Sequence, residues 1–454
     1  MFLGYLLLKE HNSSKEGTVA TIKNVYAREV FDSRGNPTIA CEVELDNGIH
    51  SLGFVPSGAS MGKNEAIELR DGDIERFNGK GVQKAVTNVN STIRDAILGM
   101  DALNLYAVDA RMIELDHTPN KSNLGANALL SVSLAVAKAA SKSNKMALYQ
   151  YLAELLGNKL DKFTIPIPFL NILNGGKHAM GSTDFQEFMI VPIKFPTFKE
   201  AMRAGVEIHH ALGKILEERN YQPLVGDEGG FAPSLFSNEQ AMELMVMAIT
   251  EAGYNPGENV FIAIDPAASR FYESELYKLH RENTELTTTQ MIDFYESWVE
   301  KYPIISIEDG LAESDINGWG DLTQRIGNKV EIIGDDLYAT NKNLLQQGIL
   351  HHSSTGILIK PNQIGTLSET LETIKIAQKS GFKVMISHRS GETEDDFIAD
   401  LAVASNCGTL KAGAPCRSER TAKYNRLLEI EEKLGPKSVF ATWDTSANGG
   451  IGQL

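Results

Sequence analysis

Cysteine is scarce in this chain: Cys41, Cys407 and Cys416 are the only three in 454 residues. An odd count without metal-ligand spacing excludes a disulfide framework and a structural zinc module, and it points to a reduced, cytoplasmic protein. Basic charge is also in deficit, with 43 Lys and Arg against 59 Asp and Glu, a net charge of -16. Nucleic acid and anionic membrane are therefore poor partners for the surface as a whole. An anionic substrate is still possible, because a pocket can be locally positive. Long hydrophobic runs are missing. The most apolar stretch, Leu124–Ala140, is broken by Ser131, Ser133 and Lys138, which predicts a buried helix of a soluble domain and no membrane span. Residues Met1–Gly17 contain Tyr5-Leu6-Leu7-Leu8 but no basic leader, long apolar core or small-residue cleavage site. They read as a disordered or lightly docked extension, not a signal peptide. Low-complexity segments are lacking too.

What is present is ample core material, 42% hydrophobic residues, on a chain long enough for two domains. Alternation such as Ile39-Ala40-Cys41-Glu42-Val43-Glu44-Leu45, followed by the turn Asp46-Asn47-Gly48, predicts an antiparallel hairpin. Helical patterning then runs to about Gly157, through Gly81–Ile97 and Asn127–Lys142. Strands followed by helices predict a smaller α+β domain over 18–158.

From 159 to 454 the texture changes to short β-branched runs, each followed by a helix-length segment: Val260–Ile264, Ile304–Ile307, Val330–Ile333, Gly356–Ile359 and Lys383–Ile386. Such runs fit parallel strands buried on both faces. Each ends in a polar residue, giving Asp265, Glu308, Asp335, Lys360 and His388 at steps of 43, 27, 25 and 28. The last three steps are each one βα unit long. In a (β/α)8-type barrel these ends converge on one mouth. A doubly wound open sheet is the alternative, but no glycine-rich phosphate fingerprint follows an early strand.

Asp265, Glu308 and Asp335 supply the hard oxygens that Mg²⁺ prefers, although any one alone could be a helix cap or a loop acid. Lys360 beside a dication would have its ammonium disfavoured and become a base, unless it is merely a structural partner of an acid. Such a base suits removal of a proton alpha to a metal-held carboxylate, with cations stabilising the product anion. Glu187 and Glu228 are further acids. Glu228 is flanked by glycines in Gly226-Asp227-Glu228-Gly229-Gly230, a turn that could present it as the general acid or could be only a turn. Arg389-Ser390 and Lys411 can grip phosphate. Gly175-Gly176-Lys177-His178 adds a flexible loop carrying an imidazole.

These residues sit in stretches that resemble the enolase family from about Val25 to Gly450. They include Phe31-Asp32-Ser33-Arg34-Gly35-Asn36-Pro37, Pro56-Ser57-Gly58-Ala59-Ser60 and Asn174-Gly175-Gly176-Lys177-His178. Gly334-Asp335-Asp336-Leu337, Asn362-Gln363-Ile364-Gly365-Thr366, Ser387-His388-Arg389-Ser390-Gly391-Glu392 and Lys411-Ala412-Gly413-Ala414-Pro415 complete the pattern. The resemblance implies an α+β domain followed by a barrel whose first units depart from simple alternation. It implies Mg²⁺-dependent dehydration of 2-phosphoglycerate to phosphoenolpyruvate, with two Mg²⁺ per site. Asp265, Glu308 and Asp335 would hold one ion, and Ser60 on a closing loop would help hold the other. Lys360 would be the base, and Glu228 the acid with Glu187 assisting. His178, Gln186, Arg389, Ser390 and Lys411 would orient substrate, with His388 near the phosphate or the loop. The usual assembly is a homodimer or an octamer.

Met61, Pro266, Arg270 and Pro361 depart from the commonest family pattern, and none of them replaces an expected metal ligand, base or acid. The rival readings are another member of the wider superfamily acting on acid sugars, or a non-catalytic protein on a retired enolase fold.

Overall fold

A computed structural model describes residues 20–58 and 62–443. The Met1–Gly17 segment, Ser60 and Met61 lie outside the described residues. The chain opens with an antiparallel sheet of β1 (Ile22–Phe31), β2 (Pro37–Leu45) and β3 (His50–Phe54). Glu44 pairs with His50 around the predicted Asp46-Asn47-Gly48 turn. The inward-facing residues Ile39, Cys41, Val43 and Leu45 are all buried.

The stretch Leu124–Ala140 becomes the helix Ala126–Ser143, almost wholly buried against β2 and β3. Its serines and alanines permit that closeness. A Cβ on Gly53 of β3 would stand 2.7 Å from the Ser131 carbonyl oxygen, so only glycine fits there. Ser131 and Ser133 stay satisfied inside the core by donating to the Ala128 carbonyl and to Asp109. No helix among the described residues is long and apolar enough to cross a membrane.

Eight further strands close a barrel: β4 (Ile167–Asn174), β5 (Glu187–Pro192), β6 (Val260–Asp265), β7 (Ile304–Glu308), β8 (Glu331–Gly334), β9 (Gly356–Ile359), β10 (Lys383–Ser387) and β11 (Thr409–Lys411). The five apolar runs read from the sequence are β6 to β10, to within a residue at each end. Every residue of β7, β8 and β9 is buried, as strands covered on both faces require.

Simple βα alternation fails at β5, which runs antiparallel to both β4 and β6. Reversal puts the first residue of β5, not its last, at the rim where the parallel strands end. Glu187 is thereby in register with Asp265, the final residue of β6, and with Asn174, the final residue of β4. An acid from a reversed strand thus joins acids from parallel ones.

Candidate active site

The strand ends of the barrel line one pocket, to which His178, Gln186, Glu187, Glu228, Asp265, Asp335, Lys360, His388, Arg389, Ser390 and Lys411 contribute. Glu308 is held by one of these lining residues, with Lys411 Nζ at 2.8 and 2.7 Å from its two oxygens. Lys411, only 1% exposed, also reaches Glu187 Oε2 at 3.0 Å and Asp265 Oδ2 at 3.2 Å. Its position is therefore among the acids, where one ammonium ties three strand ends together. Burial disfavours that ammonium, but the carboxylates around it outweigh burial and push Lys411 well up.

Lys360 Nζ is bound to Asp335 Oδ2, whose other oxygen accepts from Gln363 Nε2 at 2.9 Å. Burial works against the Lys360 ammonium, yet the Asp335 carboxylate prevails and holds the amine above its usual value. That direction is the reverse of what a base needs. The cause is local: the Asp335 carboxylate acts directly on the Lys360 ammonium, with Glu308 adding a smaller pull. A divalent cation on the same carboxylates would cancel their pull and favour the neutral amine.

The donor set is suited to such a cation. Asp265, Glu308 and Asp335 are all buried, and Asp309 and Asp336 line the same pocket. Burial and mutual repulsion push Glu308 and Asp309 well above the carboxylate range and Asp336 up to about 7. Buried acids so crowded call for positive charge, and carboxylate oxygens are what Mg²⁺ takes.

Across the pocket, His178 Nδ1 lies 3.6 Å from Glu187 Oε1 and 3.5 Å from Glu228 Oε2. Burial and the Glu228 charge push Glu187 well up. At Glu228 burial acts the same way, but His178, His388 and Arg420 outweigh it and hold that carboxyl well down. Burial lowers both imidazoles, against the opposing pull of the Glu228 carboxylate.

The glycines around Glu228 have a steric reason. Gly229 has φ +86, and a Cβ there would stand 2.9 Å from Cys416 Sγ; one on Gly226 would come within 2.7 Å of the His178 carbonyl oxygen. Asn171 Nδ2 donates to Glu228 Oε2 at 2.8 Å, fixing the carboxyl from β4.

His388 faces Glu228, with Nε2 at 3.7 Å, while its Nδ1 receives an N–H from Arg420 at 2.6 Å. It thus borders the acid pair. Arg389 is gripped by Glu65 and by Asn362 Oδ1. Among the departures from the family pattern, Pro361 occupies the first position of the helix Pro361–Ile364, where no N–H is needed. Pro266 precedes Ala267, whose N–H returns to Asp265 Oδ1 at 2.9 Å. Arg270 lines the pocket 4.0 Å from Asp336 Oδ2.

Residues not singled out from the sequence also shape the site. Asp309 accepts the N–H groups of Asp335 and Asp336 at 2.8 and 2.9 Å, clamping the next strand's end. Its signal was the doubled acid, Glu308-Asp309 before Asp335-Asp336. Glu65 and Arg420 carried no signal, since their partners are remote in sequence.

A mixed barrel with acids, a lysine and an imidazole around one rim defines a carboxylate-rich α/β-barrel architecture. Residues 22–152 match the enolase N-terminal domain and residues 162–448 match the enolase C-terminal TIM barrel domain. The chain belongs to the enolase family, and with it to the hydro-lyases of the enolase superfamily.

Proposed function

We propose that the protein is a glycolytic and gluconeogenic phosphopyruvate hydratase, interconverting 2-phosphoglycerate and phosphoenolpyruvate. The observation that carries this is the opposition of Lys360 on one wall to the Glu187–Glu228 pair on the other, across a single pocket. Removal of a C2 proton and departure of a 3-hydroxyl need a base and an acid on two sides of one substrate.

Asp265, Glu308 and Asp335 would hold Mg²⁺, and Ser60 would help hold a second ion. Bound there, the metal would neutralise the substrate carboxylate and the charge that develops on it. Lys360, its amine freed from Asp335, takes the C2 proton. Glu228 protonates the departing 3-hydroxyl, with Glu187 assisting beside it. Arg389 and Ser390 receive the phosphate, His178 and Gln186 border the substrate, and Lys411 keeps the acids of three strands together. His388 supports Glu228.

We also read the assembly as a homo-oligomer, at least a dimer, in the cytoplasm. Phe31 at 62% and Tyr26 at 54% exposure leave apolar surface on β1, beside a groove lined by His50, Glu394 and Glu419. Light scattering in solution reads the assembly directly.

The deciding experiment is growth of enol absorbance from 2-phosphoglycerate with and without Mg²⁺, run beside non-phosphorylated acid sugars. Turnover of the sugars instead would make the chain a different superfamily dehydratase. No turnover of either would favour a retired fold.

A further inference from the structure

Arg420 stands near the start of the helix Ser418–Leu434 and is wholly buried. Every N–H on its two terminal nitrogens has an acceptor. Nη1 donates to His388 Nδ1 at 2.6 Å and to the Arg389 carbonyl at 2.5 Å. Nη2 donates to the Asp227 carbonyl at 3.1 Å and to the Ser390 carbonyl at 2.5 Å. One guanidinium thus ties the turn that carries Glu228 to the residues that follow β10. Gly413 clears its path: φ there is +85, and a Cβ would stand 2.7 Å from Arg420 Cδ and 2.9 Å from the Glu228 carbonyl oxygen. That oxygen accepts the Ala414 N–H at 2.9 Å, so the turn is held from both sides.

The same fork decides where His388 carries its hydrogen. A guanidinium only donates, and it stays charged. The nitrogen facing it must therefore offer a lone pair, which leaves a neutral ring with its hydrogen on Nε2. Nε2 is the nitrogen that faces Glu228 Oε2, at 3.7 Å. A donor there favours the carboxylate that Glu228 becomes on giving up a proton. The other tautomer would turn a lone pair toward that carboxylate.

We propose that Arg420 is a positioning residue for the acid half of the reaction. It fixes the Nε2–H form of His388 toward Glu228 and holds the Glu228 turn and the Arg389–Ser390 segment as one body. Arg420 is not among the residues lining the pocket, so it acts through the imidazole and the three carbonyls. Lysine is no substitute, because a single nitrogen cannot fork to both segments. The link to acid chemistry rests on the functional reading above, but the tautomer and the tie do not.

The test uses the full chain with isotopically labelled histidine, observed by nitrogen NMR, with His388→Gln to assign the His388 signals. The parent should show a bare Nδ1 and a hydrogen on Nε2. In Arg420→Lys, which keeps the charge, both nitrogens should move toward the positions of mixed tautomers. Dehydration should fall about 100-fold, the cost of a small misplacement at a reacting centre. Exchange of the C2 proton, which depends on Lys360 across the pocket, should be retained. Arg420→Gln should show the same split, which guards against a fold defect peculiar to one variant. A hydrogen on Nδ1 in the parent would overturn the proposal. So would a folded variant that keeps full dehydration, or one that loses dehydration and exchange in equal measure, as a general structural defect would. Should neither variant fold, the tautomer in the parent spectrum still decides. A parent without hydratase activity would sink the functional reading and leave the NMR result standing.

Discussion

Glu65 and Arg389, 324 residues apart, form a buried two-pronged ion pair, with Arg389 Nη1 3.0 Å from Glu65 Oε2 and Nη2 3.2 Å from Oε1. The same Oε1 accepts the Gly62 N–H at 3.0 Å, and Arg389 Nη1 also donates to Asn362 Oδ1 at 3.0 Å. The pair joins the first domain to the loop after β10 and to the helix that follows Lys360. Glu65→Gln would take from the buried Arg389 guanidinium the carboxylate bound to both its prongs, a change that costs about 3–5 kcal/mol. The expected result is a lower urea midpoint, measured by circular dichroism. The KM for 2-phosphoglycerate should rise more than kcat falls, because Arg389 loses its fixed orientation. An unchanged midpoint and an unchanged KM would remove Glu65 from this role.

Lys360 and Asp335 make a second prediction. Lys360→Ala should abolish exchange of the substrate C2 proton with solvent deuterium, followed by NMR. The carboxylates of Asp265, Glu308 and Asp335 stay in place, so Mg²⁺ should still bind in a calorimetric titration. Exchange retained in this variant would show that another group is the base.

Glu228→Gln should give the reverse pattern. Lys360 is untouched, so C2 exchange persists, while dehydration falls by about two to four orders of magnitude, the usual worth of a positioned acid. Glu187→Gln should behave alike if the two carboxyls work as one unit, and the double variant should then be little worse than either single one. Additive losses in the double variant would mean that the two acids act separately.

The rim of the barrel was legible because of how parallel strands end. Asp265, Glu308, Asp335, Lys360 and His388 each close an apolar run, and chain geometry alone sends such ends to one mouth. Glu187 was legible only through resemblance. Its strand β5 is reversed, so the informative residue is the first of the run, where no spacing argument looks. Glu65 escaped because its meaning lies in Arg389, and no local pattern records a contact made across 324 residues. The direction of the Lys360 shift was likewise hidden. A sequence shows that acids are near a lysine, but not that Asp335 is bound directly to its ammonium.

Asp109 offers a test of stability remote from the site. It is fully buried between the helices Leu105–Asp116 and Ala126–Ser143, accepting from Ser133 Oγ at 3.0 Å and from the Ser368 N–H and hydroxyl at 2.9 and 2.6 Å. Burial pushes its carboxyl from an ordinary 3.8 up to about 6, against the pull of those hydrogen bonds. The folded state therefore binds this proton more tightly than the unfolded chain does. Its contribution to stability is complete below the unfolded value of 3.8 and is lost as pH rises through about 6. Asp109→Asn removes the titration while keeping shape and hydrogen-bonding capacity. Between pH 5 and pH 8 the parent should lose about 1 kcal/mol relative to the variant, as the carboxylate becomes charged inside the core. Urea unfolding of both proteins at the two pH values measures this. Parallel pH dependences would show that Asp109 keeps the same charge across that range.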